Sequence, residues 1–583
     1  MKSLKERTFD LLKSWCDRML LDQIQEMDTP YLKGALLCPA CSLIHGRCAD
    51  LILPLTLLYV ETREKTYLTS AKHLVEWSEF NLLCEDGTYR NDVGNTWKGI
   101  SAFSAMAIGE TLDRFGTQLD PETKNTWQKI FIRLTDSIGR FFKQDFVKPN
   151  INYHAGAAAL FALAYRITGK ESYRQTAEYW EQICSVCFDA QDLLFGEGGE
   201  RTHVTEKGCR PIDLGYNIEE ALPLLIRHSV WLNDEEKRRR YAGKMLAHLA
   251  FLLPDGGIDN SFGTRHNKWT YWGSRTSDGM QEGLVYITDL NPIFARAALK
   301  NFELYERCTH DGALYPGLMA YDAGEPACIH HAFTHAKALA VMFLDMREAD
   351  FNRAKTAILP REKRYGVQSF QSGNLMIVSV GGWRATVNAN DFIYIHGAEN
   401  TGGSLTMLWH ERYGAICAAT MNRFGKSEPL NMQYQRGRDT YCMTPRIEWN
   451  GRSSDCDMTV QLQSGGSETE AWIIAESTAE PGFRMTYRFF GDTVELSATT
   501  GQDGVYHLPV VADRSTRISV SKRIVCFNDL LTVTADRDIE PVCPNETRLY
   551  NPVGGFEYFP LKISVQADET IRISFKISET HRT

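Results

Sequence analysis

The apolar residues of this chain change their spacing near Pro360, and this change constrains the fold more than any other feature. Before it, apolar side chains recur at helical spacing, whereas after it short β-branched and aromatic runs alternate with Gly, Asn and Asp turns. With 583 residues, the chain is also too long for one hydrophobic core. The sequence therefore predicts a helical domain followed by a separate all-β domain.

The first half is predicted to consist of stacked helical hairpins. The sequences TREKTY (62–67) and TGKESY (168–173) each lead into a helical segment containing an alanine and a tryptophan, so one supersecondary unit is repeated. About a dozen such segments are enough for an α/α toroid with its loops around a central cleft. Helical spacing is clearest in residues 49–59, 66–80, 96–115, 121–142, 155–168, 172–187, 216–232 and 327–346.

The second half is predicted to form an antiparallel β-sandwich, because short strands recur over about two hundred residues. The predicted strands include residues 375–380, 392–395, 459–463, 472–474, 493–498, 517–520 and 571–577. We place an N-terminal (α/α) toroid at 1–350, a linker at 351–364 and the C-terminal antiparallel β-sandwich at 365–583.

The charge balance excludes some classes of partner. Net charge is −9, from 64 basic and 73 acidic residues without long runs of one sign. No basic surface is therefore expected that would hold nucleic acid or an anionic membrane, and we expect neither as a partner. The sequence gives no indication of the oligomeric state.

The N-terminal residues and the cysteines bear on the cellular compartment. The first residues enter a helical pattern without an apolar signal core, and no later stretch is apolar enough to span a bilayer. The 15 cysteines are scattered and odd in number, which favours reduced thiols. We expect a cytoplasmic protein; a periplasmic protein whose leader has been removed is the alternative.

Polar residues stand at two predicted loop-to-helix junctions. The segment KPNINYHAGA (148–157) places Asn152 and His154 at a helix start, where free amides and the positive end of the dipole can receive an anion. The segment RPIDLGYNIE (210–219) places Tyr216 at another helix start, and Arg210 before it is a candidate substrate contact. The structural alternatives are an N-cap for Asn152, a first-turn residue for His154 and an amphipathic tyrosine for Tyr216.

A third polar cluster lies at the start of the predicted sandwich, in WRATVNAND (383–391) and HGAENTGG (396–403). So many Asn, His and Gly residues are costly to bury unless they face a site or a turn. His396 is the catalytic candidate here, and Arg384 and Asn400 are candidate substrate contacts. The alternative is a hairpin loop carrying a surface histidine.

Two segments combine aromatic and cationic residues, which can stack on sugar rings and pair with a carboxylate. They are RHNKWTYWGSR (265–275) and, more weakly, NDVGNTWK (91–98). For each tryptophan, a place in the core is the alternative. The predicted substrate-binding residues in these segments are Arg265, His266, Trp269, Tyr271, Trp272, Arg275, Asn95 and Trp97.

Two groups of cysteine and histidine residues are candidate metal ligands. The sequence CPAC (38–41), with His45 and Cys48 nearby, has the residue types of a zinc site, but no second pair of ligands follows close by. His331 and His335 have the i, i+4 spacing of a metal pair, without an accompanying acidic pattern. We therefore expect buried free thiols, no metal and no cofactor.

Taken in order, these motifs resemble those of the α/α-toroid polysaccharide lyases, the heparinase II/III-like and oligoalginate lyase group. The shared features are Asn or His at one toroid helix start, a tyrosine in a Leu-Gly-Tyr setting one hairpin later, and a β-sandwich that begins with His and Asn. Lyases that release rhamnose-linked glucuronate from plant gums share this architecture. The resemblance implies cleavage of a uronate-containing oligo- or polysaccharide by β-elimination.

The resemblance also implies roles for four residues. Removing the C5 hydrogen of a uronate becomes feasible when the adjacent carboxylate is neutralised and the enolate-like charge is held. A phenol whose pKa is lowered by nearby cations can exchange a proton at the bridging oxygen. By similarity, Asn152 and His154 neutralise the carboxylate or act as base, Tyr216 acts as acid or as both, and His396 completes the site.

Two other functions remain open at this stage. A glycoside hydrolase on the same scaffold needs two carboxylates facing one sugar, whereas a non-catalytic glycan-binding protein needs only aromatic platforms. The helix starts are richer in Asn, His, Tyr and Arg than in paired acids, and binding alone does not require so many titratable loops. The carboxylates available to a hydrolase are Asp92, Glu197, Asp213, Glu219, Asp278 and Glu282.

Overall fold

The structure is a computed structural model, and it describes residues 2–25, 30–92, 94–145, 150–264, 271, 277–394, 400–420, 441–543 and 547–578. Helices fill the part before Gly366 and strands the part after it, apart from one short hairpin. The predicted class, a helical domain followed by antiparallel sheets, is confirmed.

Each predicted helical segment contains a helix. The first helix begins with a capping box, in which Ser3 Oγ accepts the amide of Glu6 and the Glu6 carboxylate accepts the amide of Ser3. The helices are α1 (Leu4–Leu20), α2 (Ile52–Thr62), α3 (Lys65–Asn81), α4 (Ile100–Phe115), α5 (Pro121–Asp145), α6 (Ile151–Thr168), α7 (Glu171–Ser185), α8 (Leu214–Tyr216), α9 (Leu222–Trp231), α10 (Glu235–His248), α11 (Gln281–Leu284), α12 (Pro292–Arg307), α13 (Ile329–Asp345) and α14 (Glu348–Arg353).

The repeated sequence pattern corresponds to two helical hairpins of the same design, α2–α3 and α6–α7. Each first helix ends in a left-handed residue, Arg63 at φ 66° and Gly169 at φ 69°, and the next helix begins two residues later. The hydroxyls of Tyr67 and Tyr173 then donate to an aspartate of the helix that precedes each hairpin. The repeat therefore joins each hairpin to its neighbour in the same way.

The strands pair antiparallel throughout the described residues. They are β1 (Thr309–His310), β2 (Ala313–Leu314), β3 (Gly366–Phe370), β4 (Leu375–Val380), β5 (Trp383–Asn388), β6 (Ser404–His410), β7 (Gly414–Ala418), β8 (Arg446–Trp449), β9 (Arg452–Ser453), β10 (Gln461–Gly466), β11 (Glu470–Glu476), β12 (Phe483–Phe490), β13 (Thr493–Thr500), β14 (Gly504–Val511), β15 (Ile518–Val520), β16 (Ile524–Phe527), β17 (Leu531–Ala535), β18 (Ile539–Pro541), β19 (Leu549–Asn551), β20 (Phe556–Val565) and β21 (Thr570–Ile577).

Three sheets make up the second half. The strand orders are β3-β4-β5-β6-β7, then β18-β20-β14-β8-β9 with β19 beside β20, and β10-β11-β12-β13-β21-β17-β16-β15. Strand β12 shows how the sequence sets the inner face, because Met485 and Tyr487 are buried while the intervening positions are more exposed. Phe370 and Phe556 of the sheets belong to the same buried apolar cluster as the helices, so the two halves pack directly on each other.

One predicted strand is wrong. Residues 392–394 lie in the loop between β5 and β6, and not in a strand. The side chains of Asn388 and Asn390 accept the backbone amides of Asn390 and Phe392, at 3.1 and 2.7 Å. These local turns satisfy the backbone groups that a strand would pair with a neighbour.

The 15 cysteines all lie within the described residues, and none of them forms a disulfide. Of the helices that the structure describes, none combines the length and the apolar character needed to cross a membrane.

Candidate active site

The helix that begins at Tyr216 changes its hydrogen-bond period directly after that residue. Asp213 caps the start by accepting the Tyr216 amide at 3.1 Å. A π-helical turn follows at Asn217–Ala221, in which the Leu222 amide donates to the carbonyl five residues back. Pro223 has no amide hydrogen, so it cannot continue the α-helical pattern there. Such π turns occur often at functional sites, and this one buries two consecutive carboxylates, those of residues 219 and 220.

Asn152 lies in the first turn of α6 and points at one of these carboxylates. The N-cap is Asn150, so Asn152 is not the cap that the sequence offered as an alternative. Its side-chain nitrogen donates to Glu220 Oε1 at 2.7 Å, and its backbone amide donates to Glu197 Oε2 at 3.1 Å. Asn152 is buried, and two acidic residues hold it in place.

Tyr216 belongs to the same group of side chains. Burial raises the pKa of Tyr153, and the proximity of Tyr216 and Glu220 raises it further, so the three side chains lie within electrostatic range. The ring of Trp97 meets that of Tyr153 edge-on, with 5.2 Å between centroids. A side chain at Gly99 would collide with both rings, which explains the glycine at that position. Tyr153 therefore lies near both Tyr216 and Glu220, and Glu220 accepts the hydrogen bond from Asn152.

His154 points elsewhere. Its ring lies 5.5 Å from that of Trp180 in α7, and burial and the charge of Arg201 lower the pKa of His154 to about 3. Two positions along an α-helix differ in direction by about 200°, so His154 and Asn152 face opposite sides of α6. The joint site expected for these two residues is therefore not formed, although they are near neighbours in the sequence.

Glu220 is part of a buried charge cluster formed by Arg47, Asp50, Glu220, Asp278 and Lys337. Arg47 donates to Asp50 at 2.7 Å, to Glu220 at 3.3 Å and to Asp278. Lys337 contacts Asp278 at 3.0 Å and Asp50 at 3.3 Å. Two cations thus face three carboxylates. Burial raises the pKa of Glu220 to about 7, with Arg47 opposing and the charge of Asp278 adding to the shift.

Further ion pairs extend this buried charge cluster across the helical domain. Lys337 also lies 3.8 Å from Glu282, which pairs with Arg227, and Arg227 pairs with Glu110. Arg114 contacts the other oxygen of Glu110 at 3.0 Å. Charges of alternating sign therefore link helices α4, α9, α11 and α13.

Two predicted substrate contacts have structural roles instead. The guanidinium of Arg384 donates to the backbone carbonyls of residues 361, 362, 381 and 383. Tyr271 is buried, with its hydroxyl on Asp255 and its ring 4.9 Å from that of Phe556. Both side chains are held inside the protein, where they cannot stack on a sugar.

Three other predicted contacts lie on loops. Asn400 is buried between the two halves of the chain and donates to the carbonyl of Ser261 at 2.8 Å. Arg210 is half-buried, with its guanidinium 4.3 Å from the ring centre of Phe195. The side chain of Asn95 accepts the amide of residue 97 at 3.0 Å, which shapes the turn before α4. Arg210 and Asn95 keep partly exposed surfaces.

The remaining predicted residues fall outside the part of the chain that the structure describes, and their roles stay predictions. They are His396, Arg265, His266, Trp269, Trp272 and Arg275.

Sequence reasoning did not single out Glu220 or Lys337. Lys337 could have been found from the sequence, because it is a charged residue at a position where the apolar pattern of helix α13 predicts a core residue. Asp278 and Glu282 were considered only as carboxylates of a hydrolase. In the structure each is ion-paired with a buried cation, which favours a supporting role.

Comparisons with known proteins cover both halves of the chain. Two family models match in order: the ulvan lyase N-terminal domain at residues 12–362 and the ulvan lyase C-terminal domain at residues 367–578. A broad-specificity ulvan lyase of Formosa agariphila is 34% identical over 592 residues, which covers 96% of this chain and 92% of that protein.

Solved structures resemble the fold. Heparinase III superposes with a TM-score of 0.55 at 10% identity, covering 95% of this chain and 78% of that one. The chondroitin AC lyase of Streptomyces coelicolor A3, in complex with chondroitin sulphate, gives 0.55 at 11% identity, covering 100% and 80%. At such identities the likeness concerns the fold alone, and it confirms the predicted toroid-and-sandwich architecture.

Proposed function

The chain belongs to the ulvan lyase family, and from that premise we propose that its substrate is ulvan and that Tyr216 and Asn152 carry the reaction. The chain is a polysaccharide lyase that acts on a uronate-containing glycan by β-elimination, as the resemblance implied. The observation that carries the site proposal is that Tyr153 lies near both Tyr216 and Glu220, while Glu220 accepts a hydrogen bond from the buried Asn152.

The proposed chemistry follows from what each group can donate or accept. Asn152 donates an amide hydrogen to the uronate carboxylate, which lowers the barrier to removing the C5 proton because negative charge grows on that carboxylate. The bond from C4 to the bridging oxygen then breaks, C4 and C5 become doubly bonded, and the leaving oxygen takes up a proton. We assign both proton transfers to the phenol of Tyr216, first as phenolate and then as phenol.

The buried charge cluster has a positioning role in this proposal. One hydrogen of the Asn152 amide is already donated to Glu220, which fixes the plane of the amide and leaves the second hydrogen to bind substrate. Glu220 is itself fixed by Arg47 and by the π-helical turn. Because these side chains are buried, little rotation is available to the asparagine when substrate arrives.

His396 is proposed to complete the site from the second half of the chain. Support comes from the contacts of a described residue close to it in sequence. Asn400 donates to the carbonyl of Ser261, and the adjacent Asn260 accepts the amide of Gly215, which precedes the proposed catalytic tyrosine. The segment that includes Asn400 therefore approaches the Tyr216 helix through a single intervening loop.

Absorbance of the unsaturated uronate product tests the proposal directly. Wild-type protein is expected to raise the ultraviolet absorbance of an ulvan solution, and to do so faster than for heparan sulfate or chondroitin sulfate. Tyr216→Phe removes the exchangeable proton but keeps the ring, so the rate is expected to fall at least about a hundredfold.

Tyr173→Phe is the matched control, because its hydroxyl donates to Asp136 at 2.7 Å near the turn between α6 and α7, at the opposite end of α6 from Asn152. This variant is expected to retain the wild-type rate. An unchanged rate in Tyr216→Phe would remove the tyrosine from the mechanism. Faster cleavage of another uronate glycan than of ulvan would refute the substrate assignment while leaving the lyase chemistry in place.

A further inference from the structure

Three cysteines and a histidine meet outside the proposed active site. Cys38 Sγ lies 3.9 Å from Cys328 Sγ, although the two residues are 290 positions apart in the chain. Cys41 Sγ lies 3.7 Å from His330 Nδ1, and the thiols of Cys38 and Cys41 also interact. One ligand atom each of Cys38, Cys328 and His330 falls within 4.8 Å of the other two.

Two of these separations match a tetrahedral zinc site, and Cys38, Cys328 and His330 form its mutually close set of ligand atoms, which does not include Cys41. Zinc with Zn–S bonds of about 2.3 Å and a Zn–N bond of about 2.0 Å holds two sulfurs about 3.8 Å apart and a sulfur about 3.5 Å from an imidazole nitrogen. The observed distances of 3.9 and 3.7 Å agree with both values. A disulfide would require the sulfurs to approach to about 2.05 Å, and it would leave Cys41 and His330 without a function in the cluster.

The local backbone presents the four side chains from two short segments. Cys38 and Cys41 belong to a tight turn in which the Ser42 amide donates to the Cys38 carbonyl at 2.9 Å. Cys328 is the N-cap of α13, and His330 lies in the first turn of that helix. A helix N-terminus favours a thiolate because of the helix dipole. The second ligand pair that is missing from the neighbouring sequence is thus supplied by α13.

Burial also suits a structural ion. Cys38, Cys328 and His330 are buried, and Cys41 is partly exposed. His45, the other nearby candidate, accepts the Arg47 amide through Nδ1 at 3.0 Å and is the N-cap of its own short helix. We propose that Cys38, Cys328 and His330 bind one structural zinc ion that fastens the N-terminal segment to α13, and that Cys41, next to His330, turns its thiol toward the ion as the fourth ligand.

The zinc proposal predicts a metal content that can be measured without reference to activity. The full-length protein, purified without chelators and under reducing conditions, is expected to contain about one zinc ion per chain by mass spectrometry of the metals. Replacing zinc by cobalt(II) is expected to give thiolate-to-cobalt charge-transfer bands and the strong visible bands of a tetrahedral site. A protein that binds no metal even after incubation with zinc, or a cobalt form without these bands, would overturn the proposal.

Single substitutions locate the ion. Cys38→Ser and Cys328→Ser are each expected to reduce the bound zinc to a small fraction of the wild-type content and to lower the unfolding temperature. Cys48→Ser is the matched control, because Cys48 is another buried cysteine of the same N-terminal segment that is not in the cluster. Full zinc content in the first two variants, or equal loss in the control, would overturn the assignment. Since a misfolded variant also loses zinc, the cobalt spectrum of the unaltered protein gives an independent decision.

Discussion

The proposed neutralisation of the uronate carboxylate depends on the side-chain amide of Asn152. Asn152→Ala removes the donor, and we expect kcat/KM on ulvan to fall roughly a hundred- to a thousandfold, as for loss of one donor to a developing oxyanion. Asn152→Asp is expected to be at least as damaging, because a carboxylate there faces Glu220 and Glu197 and repels the uronate. Initial rates of absorbance increase give both values. An Asp variant more active than the Ala variant would contradict this role.

His154→Gln distinguishes a role of His154 as catalytic base from a role in packing, which the sequence could not distinguish. If His154 were the base, its loss would abolish turnover. Because the ring packs on Trp180 on the opposite side of α6 from Asn152, we expect kcat to remain within a few-fold of wild type and only the unfolding temperature to fall. The sequence predicted a site at this helix start. It could not rank the two residues, because the direction of a side chain depends on where the helix begins, and the helix begins at Ile151.

Glu220 makes substrate binding depend on pH. Its pKa of about 7 means that it is mostly neutral in mild acid and mostly ionised in mild base. Ionised Glu220 places a second negative charge near the uronate, so KM is expected to rise roughly three- to tenfold from about pH 6 to about pH 8. Glu220→Gln fixes a neutral side chain and is expected to flatten this dependence. A KM that falls over the same range in the wild type would contradict the assignment, as would an unchanged slope in the variant.

At the scale of elements, the two related hairpins offer a matched pair of substitutions. Gly169 and Arg63 occupy the same left-handed position after α6 and α2, and no atom lies within 4 Å of a Cβ built on Gly169. Gly169→Ala therefore carries only the backbone strain of the left-handed conformation, and we expect the free energy of unfolding to fall by about 1 kcal/mol. Arg63→Gly relieves that strain and is expected to be neutral or slightly stabilising, since added flexibility of the unfolded chain offsets part of the gain.

Urea unfolding of both variants and of wild type provides the comparison. Equal destabilisation by the two changes would show that the hairpins are not equivalent.

The same helices show which structural features can be predicted from sequence patterns and which cannot. The hairpin repeat was readable because each unit carries its own turn signal and its own buried tyrosine and tryptophan. The π-helical turn at Asn217–Ala221 could not be predicted from the sequence, because it results from a single additional residue within a continuous helix. That single residue decides which carboxylates turn inward. Pro223 was a clue to an irregular helix, but it does not specify the kind of irregularity.

At the scale of the whole molecule, the buried charge cluster is assembled from segments far apart in the chain. Arg47, Glu220, Asp278 and Lys337 come from four different elements or loops, and no local spacing relates them. Sequence periodicity can show that a charge lies on a buried face, but it cannot identify the partner. The toroid was predictable because each hairpin is local. The pairing of charges in the buried charge cluster was not predictable, since it depends on how the hairpins pack around one another.

The contact between the two halves of the chain includes a buried ion pair. Arg361 precedes the first strand of the sandwich and is fully buried, and it donates to Asp259 of a helical-domain loop at 3.2 Å. Its other bonds, to the Ala385 carbonyl and the Thr386 hydroxyl, are 2.9 Å long. Asp259→Ala leaves this guanidinium without a counter-charge, and we expect the free energy of unfolding to fall by about 3–5 kcal/mol.

Replacing both members of this pair distinguishes electrostatic coupling from a general packing defect. Asp259→Leu combined with Arg361→Met removes both charges, so it is expected to destabilise less than Asp259→Ala alone, because no unpaired charge remains in the interface. Arg517→Ala, at an exposed ion pair with Asp529, is expected to leave the unfolding curve unchanged. Calorimetry measures all three, and separate transitions for the two halves are expected in Asp259→Ala if this pair couples them.

Because the loop that carries Asp259 also carries Asn260 and Ser261, which connect the Tyr216 helix to Asn400, activity is expected to decline together with that coupling. Full activity in a variant whose two halves unfold separately would show that the sandwich contributes nothing to the site, and it would exclude His396 from the mechanism.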